Sequence, residues 1–97
     1  MTYRNKKLLA AANGAPCQYC GTEDGTTVAA HSNQLRDGKG TGHKSADYRV
    51  AYVCAHCHDA IDGRFGARER DVKVAMWESA HRRTVAYLFE NGIVGTK

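Results

Sequence analysis

The feature that most limits the folds open to this chain is a pair of Cys-x-x-Cys turns, Cys17-Gln-Tyr-Cys20 and Cys54-Ala-His-Cys57. Each turn can present two thiolates to one point, and zinc prefers four soft ligands at the corners of a tetrahedron. Two such turns on either side of Gly21 to Val53 would draw distant segments onto a single ion. A chain of 97 residues makes one domain, near the lower size at which apolar burial alone gives comfortable stability. A structural zinc held by Cys17, Cys20, Cys54 and Cys57 is therefore the first expectation. The same pairs could instead form two disulfides or a redox Cys-x-x-Cys. An open position and fewer cysteines would mark a catalytic zinc, so this one is read as structural.

The compartment bears on that choice. Met1-Thr-Tyr-Arg-Asn-Lys-Lys leads into only a short apolar run, unlike a secretory signal, and no segment reaches membrane-spanning length. The expected location is the cytoplasm, where paired cysteines are more often metal ligands than disulfides. The formal net charge is +4 with neutral thiols. It falls to about +2 when four thiolates hold one divalent ion, and a second such ion restores about +4. The total is thus a weak argument for nucleic acid, and placement matters more.

Along the chain, Tyr3 to Ala12 reads as a short helix stopped by Asn13-Gly14. Thr26 to His31 reads as a strand. Arg36 to Lys44 is a glycine-punctuated loop, and Tyr48 to Val53 is the stronger strand, with Tyr48, Val50 and Tyr52 on one face. A short helix follows over Ala55 to Asp62. A longer one, about Ala67 to Glu90, carries Val72, Met76, Trp77, Ala80, Val85 and Leu88 as an apolar stripe and stops at Asn91-Gly92. The fold class is α+β. No internal repeat, linker or low-complexity tract breaks the chain.

Several polar residues fall at positions that carry chemistry. His58 and Asp62 share one face of the short helix at i and i+4, roughly 6 Å apart, and can chelate a divalent ion; taken alone, a surface His–Asp pair is the plainer reading. His31 closes the first strand, and histidine ordinarily titrates near neutral pH, as a general base must. Asp47 opens the second strand and can accept the proton on the far ring nitrogen of His31. His56 is expected to face solvent, and His43 in the loop and His81 in the last helix beside Arg82 and Arg83 are expected to have plain structural roles, with His43 able to reach a phosphate. Gly38-Lys-Gly-Thr-Gly-His-Lys-Ser45 nearly matches a phosphate-binding P-loop. His43 takes the place of its second glycine, however, and the chain is too short for the required sheet.

Read together, Cys-x-x-Cys, Ala-His31, the glycine loop ending at Asp47, and Val-Cys54-Ala-His-Cys57-His58-Asp-Ala-Ile-Asp62-Gly-Arg64 resemble an HNH endonuclease. More narrowly, the chain is similar to the small phage and prophage HNH proteins of YbcO type. The resemblance runs from Cys17 to Arg64, the core of a single domain over 1–97, with the long helix at about 67–90. It implies a zinc-stapled ββα-metal finger with a short helix before it and a long one after. It implies His31 as general base and Asp47, with Arg49 nearby, in the orienting position commonly held by asparagine. It implies His58 with Asp62 as ligands of a catalytic ion, Mg2+ or Mn2+. Ala30 stands where many HNH proteins carry a further ligand, leaving phosphate and water to complete the shell.

The implied activity is hydrolysis of DNA phosphodiester bonds inside a bacterial host cell, without a membrane or small-molecule cofactor. Lys44, Arg64, Arg68 and Arg70 are candidates for backbone contacts. Two other functions fit the same staple. One is a zinc-ribbon module that binds DNA without cutting it, and the other is an adaptor that docks proteins on its long helix.

Overall fold

The computed structural model describes residues 3–32, 34, 45–62 and 70–94. The element order is α1 (Lys6–Ala10), β1 (Val28–His31), β2 (Val50–Val53), α2 (Ala55–Asp62) and α3 (Arg70–Glu90). β1 and β2 form a two-stranded antiparallel sheet in which Val28 faces Val53 and His31 faces Val50. The molecule is thus a small α+β protein.

Both strands are shorter at their starts than the β-branched and aromatic pattern suggests. The Thr26 side chain is held by Asp24, to which it donates at 2.6 Å, and Thr26 Oγ1 accepts the Ala55 N–H at 2.9 Å. Thr26 thereby ties the approach to β1 to the start of α2 instead of extending the ladder. Residues 47–49 make a turn, closed by Arg49 N–H donating to Ala46 O at 2.9 Å. Tyr48 consequently points outward, 60% exposed, and packs on Tyr3 at 5.7 Å between ring centroids. The expected face of Tyr48, Val50 and Tyr52 therefore loses its first member.

β2 is buried on both faces, not one. Ala51 and Val53 join Cys17, Ala30, Cys57, Ile61, Met76, Trp77 and Ala80 in one cluster. Val50 and Tyr52 join Leu8, Ala12, Ala15 and Leu88 in a second. α1 and the C-terminal half of α3 cover the face that a simple alternation would leave to water. The Tyr52 hydroxyl donates to Leu8 O, and the Tyr52 amide donates to Thr84 Oγ1 at 2.9 Å. The Thr84 hydroxyl in turn donates to Ala80 O at 2.7 Å. A buried threonine inside the apolar stripe thus supplies a partner for the strand's backbone.

The register of α3 differs from the expected stripe in the same direction. Met76, Trp77, Ala80, Thr84 and Leu88 face inward, whereas Val72 and Val85 are exposed at 45% and 37%. Trp77 Nε1 donates to Ala30 O at 3.0 Å, fixing α3 across β1. The Asn91-Gly92 stop is a Schellman turn: Gly92 has φ of 68°, its N–H donates to Phe89 O, and Ile93 N–H donates to Leu88 O. No helix among the described residues is long and apolar enough to cross a membrane.

Candidate active site and metal centre

The four cysteines converge. Cys17 follows Pro16 into a tight turn in which Gly21 N–H donates to Cys17 O at 2.9 Å. Gly21 takes a φ of 81°, a left-handed conformation that glycine reaches without Cβ strain. Cys54 directly follows β2, and Cys57 sits in the first turn of α2. The four Sγ atoms all lie within 4.8 Å of one another, and none is in a disulfide. Cys20 Sγ and Cys54 Sγ are 3.8 Å apart. A tetrahedron with Zn–S arms of about 2.3 Å has edges of about 3.8 Å, so this spacing fits a metal better than a bond.

The electrostatics agree with the donor set. Burial works to raise the Cys17 thiol, but the amides of Cys20, Cys54 and Tyr19 outweigh it and bring Cys17 down to about 7. Tyr19 and Cys20 N–H each approach Cys17 Sγ at 3.4 Å. Burial raises the Cys54 and Cys57 thiols, and the neighbouring sulfurs of Cys17 and Cys20 raise them further. Four sulfurs this close cannot all ionise without a compensating cation, and a divalent soft ion could supply it. Among the described residues, this is the only group of three or more Cys, His, Asp or Glu side chains that close together.

His31, at the end of β1, lies with Nε2 2.8 Å from Asp47 Oδ1. The Asp47 side chain is buried, 3% exposed, while that of His31 is 17% exposed. Asp47 is held on every side. Its Oδ1 also accepts from Arg4 Nη1 at 3.0 Å, and its Oδ2 accepts the Asn5 N–H at 2.6 Å. Burial alone would raise this carboxyl, but the hydrogen bonds from His31, Asn5 and Arg4 and the charge of His31 hold it below the usual carboxylate range. With Nε2–H given to Asp47, Nδ1 is the ring atom left to take a proton.

His58 and Asp62 form the second pair, Nε2 to Oδ2 at 3.5 Å, with side chains 34% and 28% exposed. His58 follows Cys57 directly, so the cysteine cluster that fixes the first turn of α2 also fixes His58, about 100° round the helix. The pair offers two donors on one face. Magnesium and manganese sites built from few protein ligands plus water and phosphate suit such a pair. Asp62 also lines a cleft of about 350 Å3, together with Gln34, Ile61, Arg70, Lys73, Val74 and Trp77.

Of the expected phosphate contacts, Arg70 is exposed at the start of α3 and lines that cleft. Lys44, Arg64 and Arg68 lie outside the described residues, as do His43 and the glycine loop up to Lys44. Lys73 was not expected there, although its i+3 spacing from Arg70 places the two on one helix face. The His81 ring stacks on Trp77 at 4.9 Å and its Nδ1 lies 2.7 Å from Val50 O, a structural role. On Trp77 also rests Arg49, at 4.6 Å, which pairs with Glu78 at 2.8 Å. The i+4 step from Trp77 to His81 is the one signal for this stack in the sequence.

The family model described as Putative nuclease YbcO matches residues 6–93. No curated protein and no solved structure matches the chain.

Proposed function

The chain belongs to the Putative nuclease YbcO family, and from that premise we propose that it is a metal-dependent HNH endonuclease, of phage or prophage type, that hydrolyses DNA phosphodiester bonds. The fold that goes with this reading is a ββα-metal finger: β1, β2 and α2 carry the chemistry, and a structural zinc on the four cysteines holds them together.

The observation that carries the reading is the His31–Asp47 pair. A buried, ionised carboxylate on Nε2–H fixes the tautomer and the ring, leaving Nδ1 as the basic nitrogen. His31 then takes a proton from the water that attacks phosphorus. His58 and Asp62 would hold the catalytic Mg2+ or Mn2+. When bound, that ion supplies charge stabilisation at the phosphate and at the leaving 3′ oxygen. Arg70 and Lys73, which line the same cleft as Asp62, neutralise backbone phosphates. Lys44, Arg64 and Arg68 are assigned the same role from the sequence.

One observation favours a rival. Among the described residues, no third donor joins His58 and Asp62, as would suit a zinc module that binds DNA without cutting it. Nicking of supercoiled plasmid, with Mg2+ or Mn2+ and with neither, decides between them. Metal-dependent conversion to open circles supports the nuclease; binding with no conversion under any metal supports the rival.

A further inference from the structure

From the bonds around Asp47 we infer that Arg4 is a positioning residue for His31, holding the Asp47 carboxylate in place and setting how readily the His31 ring gives up its proton. The inference rests on the reading of His31 as the general base. Arg4 Nη1 donates to Asp47 Oδ1 at 3.0 Å and to Ser45 O at 2.7 Å. It thus spans the turn that carries Asp47. The same oxygen, Oδ1, is 2.8 Å from His31 Nε2. Asn5 N–H takes Oδ2 at 2.6 Å, and Asp47 N–H donates to Tyr3 O at 3.0 Å. Tyr3, Arg4 and Asn5 therefore clamp a residue more than forty positions away.

The charge matters as much as the clamp. A buried carboxylate with an imidazole as its main partner favours the imidazolium, and a ring held in that form cannot accept a proton. Arg4 carries a permanent positive charge and places it on the very oxygen that His31 uses. Two cations cannot draw fully on one oxygen, so Arg4 weakens the hold on the second ring proton.

Among the described residues, other elements around His31 carry charged groups. β1 carries none besides His31. On α1, Lys6 and Lys7 are exposed. Arg49, before β2, is paired with Glu78 of α3. His81 of α3 has its Nδ1 at Val50 O. Among the described residues, Arg4 is the Lys or Arg side chain that contacts the Asp47 oxygen His31 uses.

The test compares Arg4→Gln and Arg4→Lys with the wild-type protein, zinc content and circular dichroism serving as checks on folding. The Arg4 side chain is 47% exposed, so both variants are expected to fold. Ring resonances of His31 are followed by NMR across pH, and plasmid nicking rates are measured over the same range. Arg4→Gln is expected to move the ring titration, and with it the acid limb of the nicking profile, to higher pH. Arg4→Lys keeps the charge and should move both less. An unchanged His31 titration in Arg4→Gln overturns the inference, as does a uniform loss of rate with no shift in pH. The NMR arm needs no activity: a shifted titration in a protein that never nicks DNA supports the role of Arg4 while refuting the nuclease reading.

Discussion

Cys20 Sγ and Cys54 Sγ lie 3.8 Å apart although 34 positions separate them in the chain. That distance is far beyond the ~2.05 Å of a disulfide and suits two corners of one metal tetrahedron. The structure thereby brings the turn before β1 against the end of β2, where Gln18 N–H also donates to Tyr52 O at 2.8 Å.

If zinc occupies the cluster, purified protein should carry one zinc per chain, and a strong chelator should unfold it. Cys54→Ser should be insoluble or molten, because it removes a ligand at the junction of β2 and α2. Elemental analysis with circular dichroism checks this. Protein that is free of zinc yet fully folded would refute the assignment.

His31 and Asp62 are assigned different tasks, so their losses should differ. His31→Ala should keep fold, zinc and DNA affinity while nicking falls by roughly a hundredfold or more. Asp62→Ala should fail through weak ion binding and recover in part with excess Mn2+. Titrating each variant with metal separates the two. Equal nicking by His31→Ala and wild type would refute the proposed mechanism.

Arg70 and Lys73 line one cleft with Asp62. Replacing both by Ala should weaken DNA binding at low salt and flatten the slope of log affinity against log salt by about 2, one unit per lost phosphate contact. Fluorescence anisotropy at several salt concentrations reads this directly. A slope equal to that of the wild type would place the DNA elsewhere.

Asp47 has its folded-state carboxyl held below the usual range. The sign follows: its contribution to stability is complete above about pH 4, the ordinary carboxylate value, and is lost as pH falls through the lower folded-state value. Urea melts of wild type and Asp47→Asn should therefore differ most near pH 6 and converge toward pH 2. Both proteins keep the four cysteines, so the difference isolates Asp47. A gap that stays constant with pH would assign the acid sensitivity to other groups.

Thr84 is fully buried and bonds both Tyr52 N–H and Ala80 O. Thr84→Val keeps the shape but orphans the Tyr52 amide, at a cost of about 1–3 kcal/mol. A melting temperature lowered by several degrees is expected, with nicking per folded molecule unchanged. No change in melting would mean that the amide finds another partner.

The sequence by itself determined the features that depend on neighbours within a turn or two. The cysteine pairs, the Ala55–Asp62 helix with His58 and Asp62 on one face, and the Asn91-Gly92 stop were all legible. Local spacing and left-handed glycine geometry dictate them wherever they occur. The pairing of His31 with Asp47 was foreseen as a chemical option, but only the closing of the antiparallel sheet brings two residues 16 positions apart to 2.8 Å. What tertiary structure alone decided lies further apart. The second buried face of β2 exists because α1 and the end of α3 cover it. The Arg49–Trp77–His81 stack needs the pitch of α3 against β2. The contact of Arg4 with Asp47 spans 43 positions, and no periodicity along the chain encodes it. Such contacts follow from which faces must leave water together, and that is settled by packing all the elements at once.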